Sequence, residues 1–327
     1  MAILIDPPAW PAHGTLWSHL VSDTATDELH AFAKRLRIPR RSFDLDHYDV
    51  PASLHDQAVA IGARPVTAKD VVHALRDSGL RVRQAERPIV TPLRRRQYLT
   101  TEWQSLGELL GATSVTRTTS ATASDAWLSL GENTLARWSE PHRSYHDERH
   151  LEDVLLALDH LATRGERVSP ESLLAAWFHD AVYLGRSTDE TASAQLAVAS
   201  LEVFPLDPSL VSRVGEFIVA TAPDKEARDP SPALAHLLDA DLSIFAAPRH
   251  RYEEYAGAVR AEYAHVADPE FAEGRSLILS RYLERPAIYR TATARQLWEE
   301  RARRNVADEI ARLRANDHRP ARRRGGA

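Results

Sequence analysis

The stretch Leu173–Leu184 reads LLAAWFHDAVYL, an apolar run with a His-Asp pair, His179 and Asp180, in its middle. It is shorter than the roughly 18 residues a membrane-spanning helix needs. Its apolar side chains are therefore expected in the core of a helical domain. At about 100° per residue, Asp180 falls beside Leu173 and Trp177, on the inward face. A carboxylate there is costly unless it is paired or faces a cation. Two readings stand at this point: a metal ligand, or a helix-end carboxylate satisfied by capping or by an arginine.

Upstream, SYHDERHLEDVLLALDHL (Ser144–Leu161) places Leu151, Val154, Leu155, Leu158 and Leu161 on one stripe. His146 and His150 stand four apart, so on a helix they share a face, and His150 lies at the edge of the stripe. A lone histidine there is either a core-edge residue bonded to a carbonyl or a metal ligand. Downstream, SPALAHLLDADLSIF (Ser231–Phe245) aligns Leu234, Leu237, Leu238, Leu242 and Phe245. Asp241 falls within that face. Asp239 falls roughly 125° off it and reads as a solvated charge.

Composition narrows what could compensate such carboxylates. The chain has no cysteine and 15 histidines. Disulfides, zinc ribbons, iron–sulfur clusters and thiol nucleophiles are excluded, and a metal must be held by histidine and carboxylate. His150, His179, Asp180 and Asp241, from three helices, suit a mid-series divalent metal: Mn, Fe, Co, Ni or Zn. A net charge of −5 over 327 residues is not that of a nucleic-acid-binding polycation.

At roughly 150 residues per domain, the length predicts about two domains. From about Ser124 onward strand-like alternation is nearly absent. Ser169-Pro170, Asp207-Pro208 and Ser231-Pro232 each put a capping side chain before a proline at a helix start. Residues 86–105, with two prolines and the triplet Arg94–Arg96, read as a linker. Residues 106–316 read as an all-α domain and 317–327 as a disordered basic tail.

Residues 1–85 read as a small α/β domain, making the chain α+β overall. Ala2–Ile5 suits a buried strand. Leu29, Phe32, Ala33 and Leu36 recur at helical spacing. Ser42–Asp46 reads as another strand. Thr67 caps a helix carrying Val71, Val72 and Leu75 that stops at Gly79. The opening MAILIDPPAW has neither a basic region nor a long apolar core, so a soluble cytoplasmic protein is expected.

The order H…HD…D on an all-α domain resembles the HD-domain metal-dependent phosphohydrolase superfamily. The resemblance covers roughly Ser124–Asn316 and rests on YHDERHLEDVL, AAWFHDAVY, TDETASA, LLDADLSI and YAGAVRAEYAHVADPEFAEGR, which are similar to a predicted-hydrolase subfamily of unknown substrate. It implies metal ligation by His150, His179, Asp180 and Asp241, with Asp180 and the metal holding a nucleophilic water. His150 is preferred over His146 because HLEDV matches the usual helix start. His146 is then a supporting group behind the metal ligands, a substrate contact or a proton donor. One departure stands: relatives are expected to carry a histidine near Ile218–Lys225, where this chain reads IVATAPDK, which weakens a di-metal or di-iron site.

The expected function is hydrolysis of a nucleotide or small phosphate ester by metal-activated water. The alternatives are a non-catalytic nucleotide-sensing module and an iron-dependent oxygenase. The expected partner is a small phosphorylated molecule, with no membrane and no nucleic acid. Arg260 and Arg275 are candidate phosphate contacts, against a reading as solvated or paired helix-face arginines. Glu190 is either a water-orienting group or part of a capping box, Ser187–Glu190.

In the N-terminal part, MAILIDPPAWPAHGTLWSHLVSD and PRRSFDLDHYDVP resemble an uncharacterised bacterial domain of unknown function, over roughly Met1–Val82. Its loops gather His13, His19, Asp44, Asp46 and His47. These read either as a ligand or metal site or as a hydrogen-bonded loop network.

Overall fold

The structure is a computed structural model, and it describes residues 2–12, 14–113, 120–223, 225 and 229–317. The expected tail therefore lies almost wholly outside the described residues, as does His13. The chain forms two compact units: Met1–Leu99 with Asp159–Glu166, and Thr100–Leu158 with Arg167–Ala327. The first is a small mixed β/α region and the second is helical, as the sequence predicts.

The first unit is built on a five-stranded sheet. Its strands are β1 (Ile3–Ile5), β2 (Trp10–Ala12), β3 (Thr15–Ser22), β4 (Tyr48–Pro51) and β5 (Arg64–Pro65). The long strand β3 pairs antiparallel with β1, β2 and β4, and β1 pairs parallel with β5. Alternation along the strands sends neighbouring residues to opposite faces. Ile5 and Leu20 pack with Leu29, Phe32 and Ala33 of α1 (Thr26–Arg35) and Ala58 of α2 (Ala52–Ala60). Leu4 and Val21 pack with Val71 and Leu75 of α3 (Ala68–Asp77). The Thr67 hydroxyl and the Asp70 carboxylate close a reciprocal capping box at the start of α3, and Gly79 takes the left-handed φ of +72° beyond its end. Ser42–Asp46 is not a strand. Arg40–Ser42 make a 3-10 turn and only Phe43 bridges to Tyr48, so pairing begins in earnest at Tyr48.

The stretch 86–105 is not irregular. It is most of helix α4 (Arg87–Leu110), which accommodates Pro92. That proline forfeits one intrahelical bond, but buried Tyr98, Leu99, Trp103 and Leu106 reward the helix with core packing.

Among the described residues nine further helices follow: α5 (Ser120–Trp138), α6 (Glu148–Thr163), α7 (Pro170–Phe178), α8 (Asp189–Leu201), α9 (Pro208–Val219), α10 (Pro232–Asp241), α11 (Arg249–Glu262), α12 (Asp268–Glu284) and α13 (Ala292–Asp317). Ser169, Asp207 and Ser231 each accept a backbone N–H at the starts of α7, α9 and α10, ahead of a proline in the first turn. Helices α4 and α5 meet through two indoles. Trp103 and Trp127 stack with centroids 4.3 Å apart and planes 9° apart. Each Nε1–H donates to the other's backbone carbonyl, at 2.7 and 2.9 Å. Close approach requires glycine opposite each ring: a Cβ at Gly107 would stand 2.2 Å from Trp127, and one at Gly131 2.3 Å from Trp103.

Among the described residues, no helix is long and apolar enough to cross a membrane.

Candidate metal centre

Four side chains from three helix ends converge in the helical unit. Asp147 accepts the backbone N–H groups of Arg149 and His150, starting α6 so that His150 sits in its first turn. Helix α7 stops at Phe178, with His179 as its last capping residue and Asp180 in the turn beyond. Asp241 is the last residue of α10.

The Nε2 atoms of His150 and His179 are 3.1 Å apart. His150 Nε2 lies 3.6 Å from Asp180 Oδ2 and 3.3 Å from Asp241 Oδ1. His179 Nε2 lies 3.2 Å from Asp180 Oδ2 and 3.7 Å from Asp241 Oδ1. Donors bound to one ion at about 2.0–2.2 Å stand about 3.0–3.5 Å from one another; the 3.1, 3.2 and 3.3 Å separations fall in that range and the 3.6 and 3.7 Å pairs lie just beyond it. His179 Nδ1–H donates to the Ala176 carbonyl at 2.8 Å, which leaves the Nε2 lone pair toward the cluster. Such outer bonds fix the tautomer of metal-binding histidines. His150 Nδ1 is buried without a hydrogen-bond partner, so the ring is oriented by what it meets at Nε2 and by Tyr145, whose ring centre is 4.7 Å away.

Electrostatics point the same way. Burial opposes a charge on His150, but Asp180 and Asp241 overcome it and push its pKa up to about 10. Burial likewise opposes ionisation of Asp180, yet the histidines hold its carboxyl well below the usual carboxylate range. The two carboxylates thus create a strong local demand for positive charge, which a divalent ion satisfies. The histidines and carboxylates together are a hard-to-borderline donor set suited to a divalent transition metal.

The turn carrying Asp180 is held from several sides. Arg143, its side chain fully buried, donates to the carbonyls of His146 (2.8 Å), Asp180 (2.7 Å) and Ala181 (3.2 Å). The Ser193 hydroxyl accepts the Val182 N–H at 3.0 Å and donates to the Val182 carbonyl. Asp189 accepts N–H bonds from Leu184 and Arg186. The capping position of α8 is Thr188, one residue after Ser187, and it makes no side-chain capping bond. Asp189 turns back to the preceding loop instead.

His146 precedes α6, in a turn. Its Nδ1 is 2.7 Å from Glu262 Oε2, and its ring stacks on Tyr183 with centroids 4.0 Å apart. Glu262 Oε1 accepts the N–H groups of Ser144, Tyr145 and His146 at 2.8, 2.7 and 2.9 Å. Burial would raise the Glu262 carboxyl, but His146 and these N–H groups lower it to about 2. Neither Glu262 nor Arg143 was singled out from the sequence.

Asp239 is not solvated. It is fully buried and caps the approach to α13, accepting from Arg290 N–H (2.7 Å), Thr291 N–H (2.8 Å) and the Thr291 hydroxyl (2.9 Å). Burial raises its carboxyl despite those bonds. The helical phase that excluded it from the Asp241 face described direction correctly; a second packed layer, α13, waits on that other side.

The candidate phosphate contacts are tied into the scaffold. Arg260 binds Asp268 and the carbonyls of Tyr263 and Val266. Arg275 binds Glu309 at 2.9 Å and the Tyr255 hydroxyl at 2.6 Å. Tyr255 packs on Tyr145, 4.5 Å between ring centres, and so backs the wall behind His150. Glu190 lies in the first turn of α8. A large surface groove between α8 and α9, lined by Ala194, Val198, Phe204, Val211 and Gly215, contains none of the converging ligands. Donor chemistry, not concavity, locates the site.

In the first unit the predicted residues divide. Asp44 forms a two-pronged pair with Arg87 (2.8 and 2.7 Å). His19 and His47 come together with Asp49, and their ligating atoms lie within 4.8 Å of one another. Asp46 stands behind His47, Oδ1 to Nδ1 at 2.6 Å.

Residues 3–78 match the protein family described as Protein of unknown function (DUF4031), which covers the sheet and α1–α3. No curated protein and no solved structure matches the chain.

Proposed function

We propose that the helical unit is a metal-dependent phosphohydrolase of the HD type, acting on a nucleotide or another small phosphate ester. The observation that carries this reading is the convergence of His150, His179, Asp180 and Asp241, with all four histidine–carboxylate separations between 3.2 and 3.7 Å. A divalent metal held by His150, His179, Asp180 and Asp241 would polarise a phosphoryl oxygen and make water nucleophilic at neutral pH.

The chain's own residues then divide the work. Asp180, on a turn fixed by Arg143, Ser193 and Asp189, presents a carboxylate that accepts a hydrogen bond from water and aligns that water. Glu262 holds His146 by Nδ1, leaving Nε2 to donate a proton to the departing oxygen or to contact the phosphate. Tyr183 covers one face of the His146 ring, and its hydroxyl donates to Glu262 at 3.1 Å. This positions the imidazole without consuming Nε2.

The test joins elemental analysis of the purified chain to phosphate release from nucleotides and phosphomonoesters with Mn, Co, Ni, Zn or Fe(II). Bound metal and turnover are expected, with both lost in Asp180→Ala and His150→Gln. A chain that holds no metal and turns over nothing in the panel overturns the reading.

A further inference from the structure

The first unit contains a second histidine–carboxylate constellation with the construction of a metal site. His19 of β3 and Asp49 of β4 are register partners across an antiparallel ladder. His47 stands one residue before β4. The rings of His19 and His47 are 5.2 Å apart at 68°, and His47 Nε2 is 3.6 Å from Asp49 Oδ1.

What separates this group from a chance cluster lies behind it. Each imidazole is gripped at Nδ1 by its own buried carboxylate: His19 by Asp6 at 2.9 Å, and His47 by Asp46 at 2.6 Å. Asp6 and Asp46 are only 1% and 2% exposed. Both are anchored to backbone. Asp6 Oδ1 accepts His19 N–H at 2.5 Å, and Asp46 Oδ2 accepts Val82 N–H at 2.7 Å. A carboxylate at Nδ1 selects the tautomer that bares Nε2 and makes it more basic, as metal-binding histidines require. Two such pairs, converging with a third carboxylate, duplicate that arrangement.

We propose that His19, His47 and Asp49 bind a divalent transition-metal ion, with Asp6 and Asp46 as positioning residues. Two imidazoles and one carboxylate leave coordination positions open for water or a ligand. The side chains of His19, His47 and Asp49 are 28%, 14% and 49% exposed, so those positions face solvent. Trp10, itself 54% exposed, stands edge-on to His19 with 5.5 Å between ring centres and walls the site on one side. This site is independent of the helical one and of the phosphohydrolase reading.

The experiment uses the full chain, stripped with a chelator and titrated with Zn²⁺ by calorimetry, with elemental analysis after gel filtration. Two ions per chain are expected. His47→Gln and Asp49→Asn should each abolish one binding event and leave the other, whereas His150→Gln should abolish the complementary one. Asp49 is half-exposed at the rim, so its substitution leaves the sheet core untouched. Asp6→Asn should retain the site and weaken its affinity about 10–100-fold. With the helical site disabled by His150→Gln, Co²⁺ should still quench tryptophan emission, and should cease to when His47→Gln is added. Identical stoichiometry and affinity in the wild type, His47→Gln and Asp49→Asn would overturn the proposal. So would a single bound ion lost only in His150→Gln.

Discussion

Glu262, at the end of α11, reaches across to His146 ahead of α6, with 2.7 Å between Oε2 and Nδ1, while its other oxygen accepts three consecutive backbone N–H groups. One carboxylate thus fixes both the turn and the imidazole it presents. In Glu262→Gln, kcat/KM for any phosphate substrate should fall about 10–100-fold, the pH profile should shift, and metal content should stay at the wild-type level. A purely structural role would leave the pH profile unmoved.

The same carboxyl supplies a pH test of stability. Its pKa is lowered from 4.5 to about 2 in the fold. A depressed carboxyl contributes stability in full above its unfolded pKa and loses it as pH falls toward the folded one. The wild type should therefore exceed Glu262→Gln in urea resistance at pH 7. The difference should shrink between pH 4.5 and pH 2. A gap that is constant with pH would show that the carboxylate charge is not its origin.

Asp239 and Asp241 stand two residues apart and should fail in opposite ways. Asp241→Asn should lose metal and activity, and should melt close to the chelated, metal-free wild type. Asp239→Ala strands three donors near the start of α13 and should cost about 1–3 kcal/mol or more, while the remaining folded protein keeps its metal. Calorimetric melting set beside elemental analysis separates the two.

Metal and fold should be linked. An ion present at 100 times its Kd stabilises by about 2.7 kcal/mol. Chelation should lower the melting temperature of the wild type and leave that of Asp180→Ala unchanged, once the N-terminal cluster has been disabled by Asp49→Asn in both.

Glycine substitutions give a packing test. Gly107→Ala drives a methyl into Trp127 and should cost about 1–3 kcal/mol or more by overpacking. Gly257 is exposed on α11, and a methyl added there would meet nothing within 4 Å. Its alanine variant should gain about 0.5–1 kcal/mol. Urea midpoints of the two variants should move in opposite directions.

The legible part of this molecule was what one helix or strand encodes by itself. Phase along SPALAHLLDADLSIF separated Asp241 from Asp239, and proline-led caps marked α7, α9 and α10. What escaped depends on partners remote in the chain. Glu262 lies 116 residues from His146, and nothing in RAEYAH reveals that its carboxylate meets three N–H groups. Arg143 reads as one arginine among many until its donors find the carbonyls of Asp180 and Ala181. Helix α4 was hidden by Pro92 and Arg94–Arg96, whose unfavourable local signal is outweighed by the burial of Trp103 and Leu106. Asp49 belongs with His19 only once strand register is known.

The reciprocal clasp of Trp103 and Trp127 constrains more than the packing of α4 on α5. Each indole forbids a side chain on the opposing helix, and each also occupies a carbonyl of the other. The four positions 103, 107, 127 and 131 are therefore one inherited unit. While both indoles stay, neither glycine is free to drift. Where a descendant has lost one indole, the glycine that faced it is released, and ordinary helix-forming residues should accumulate there in later generations.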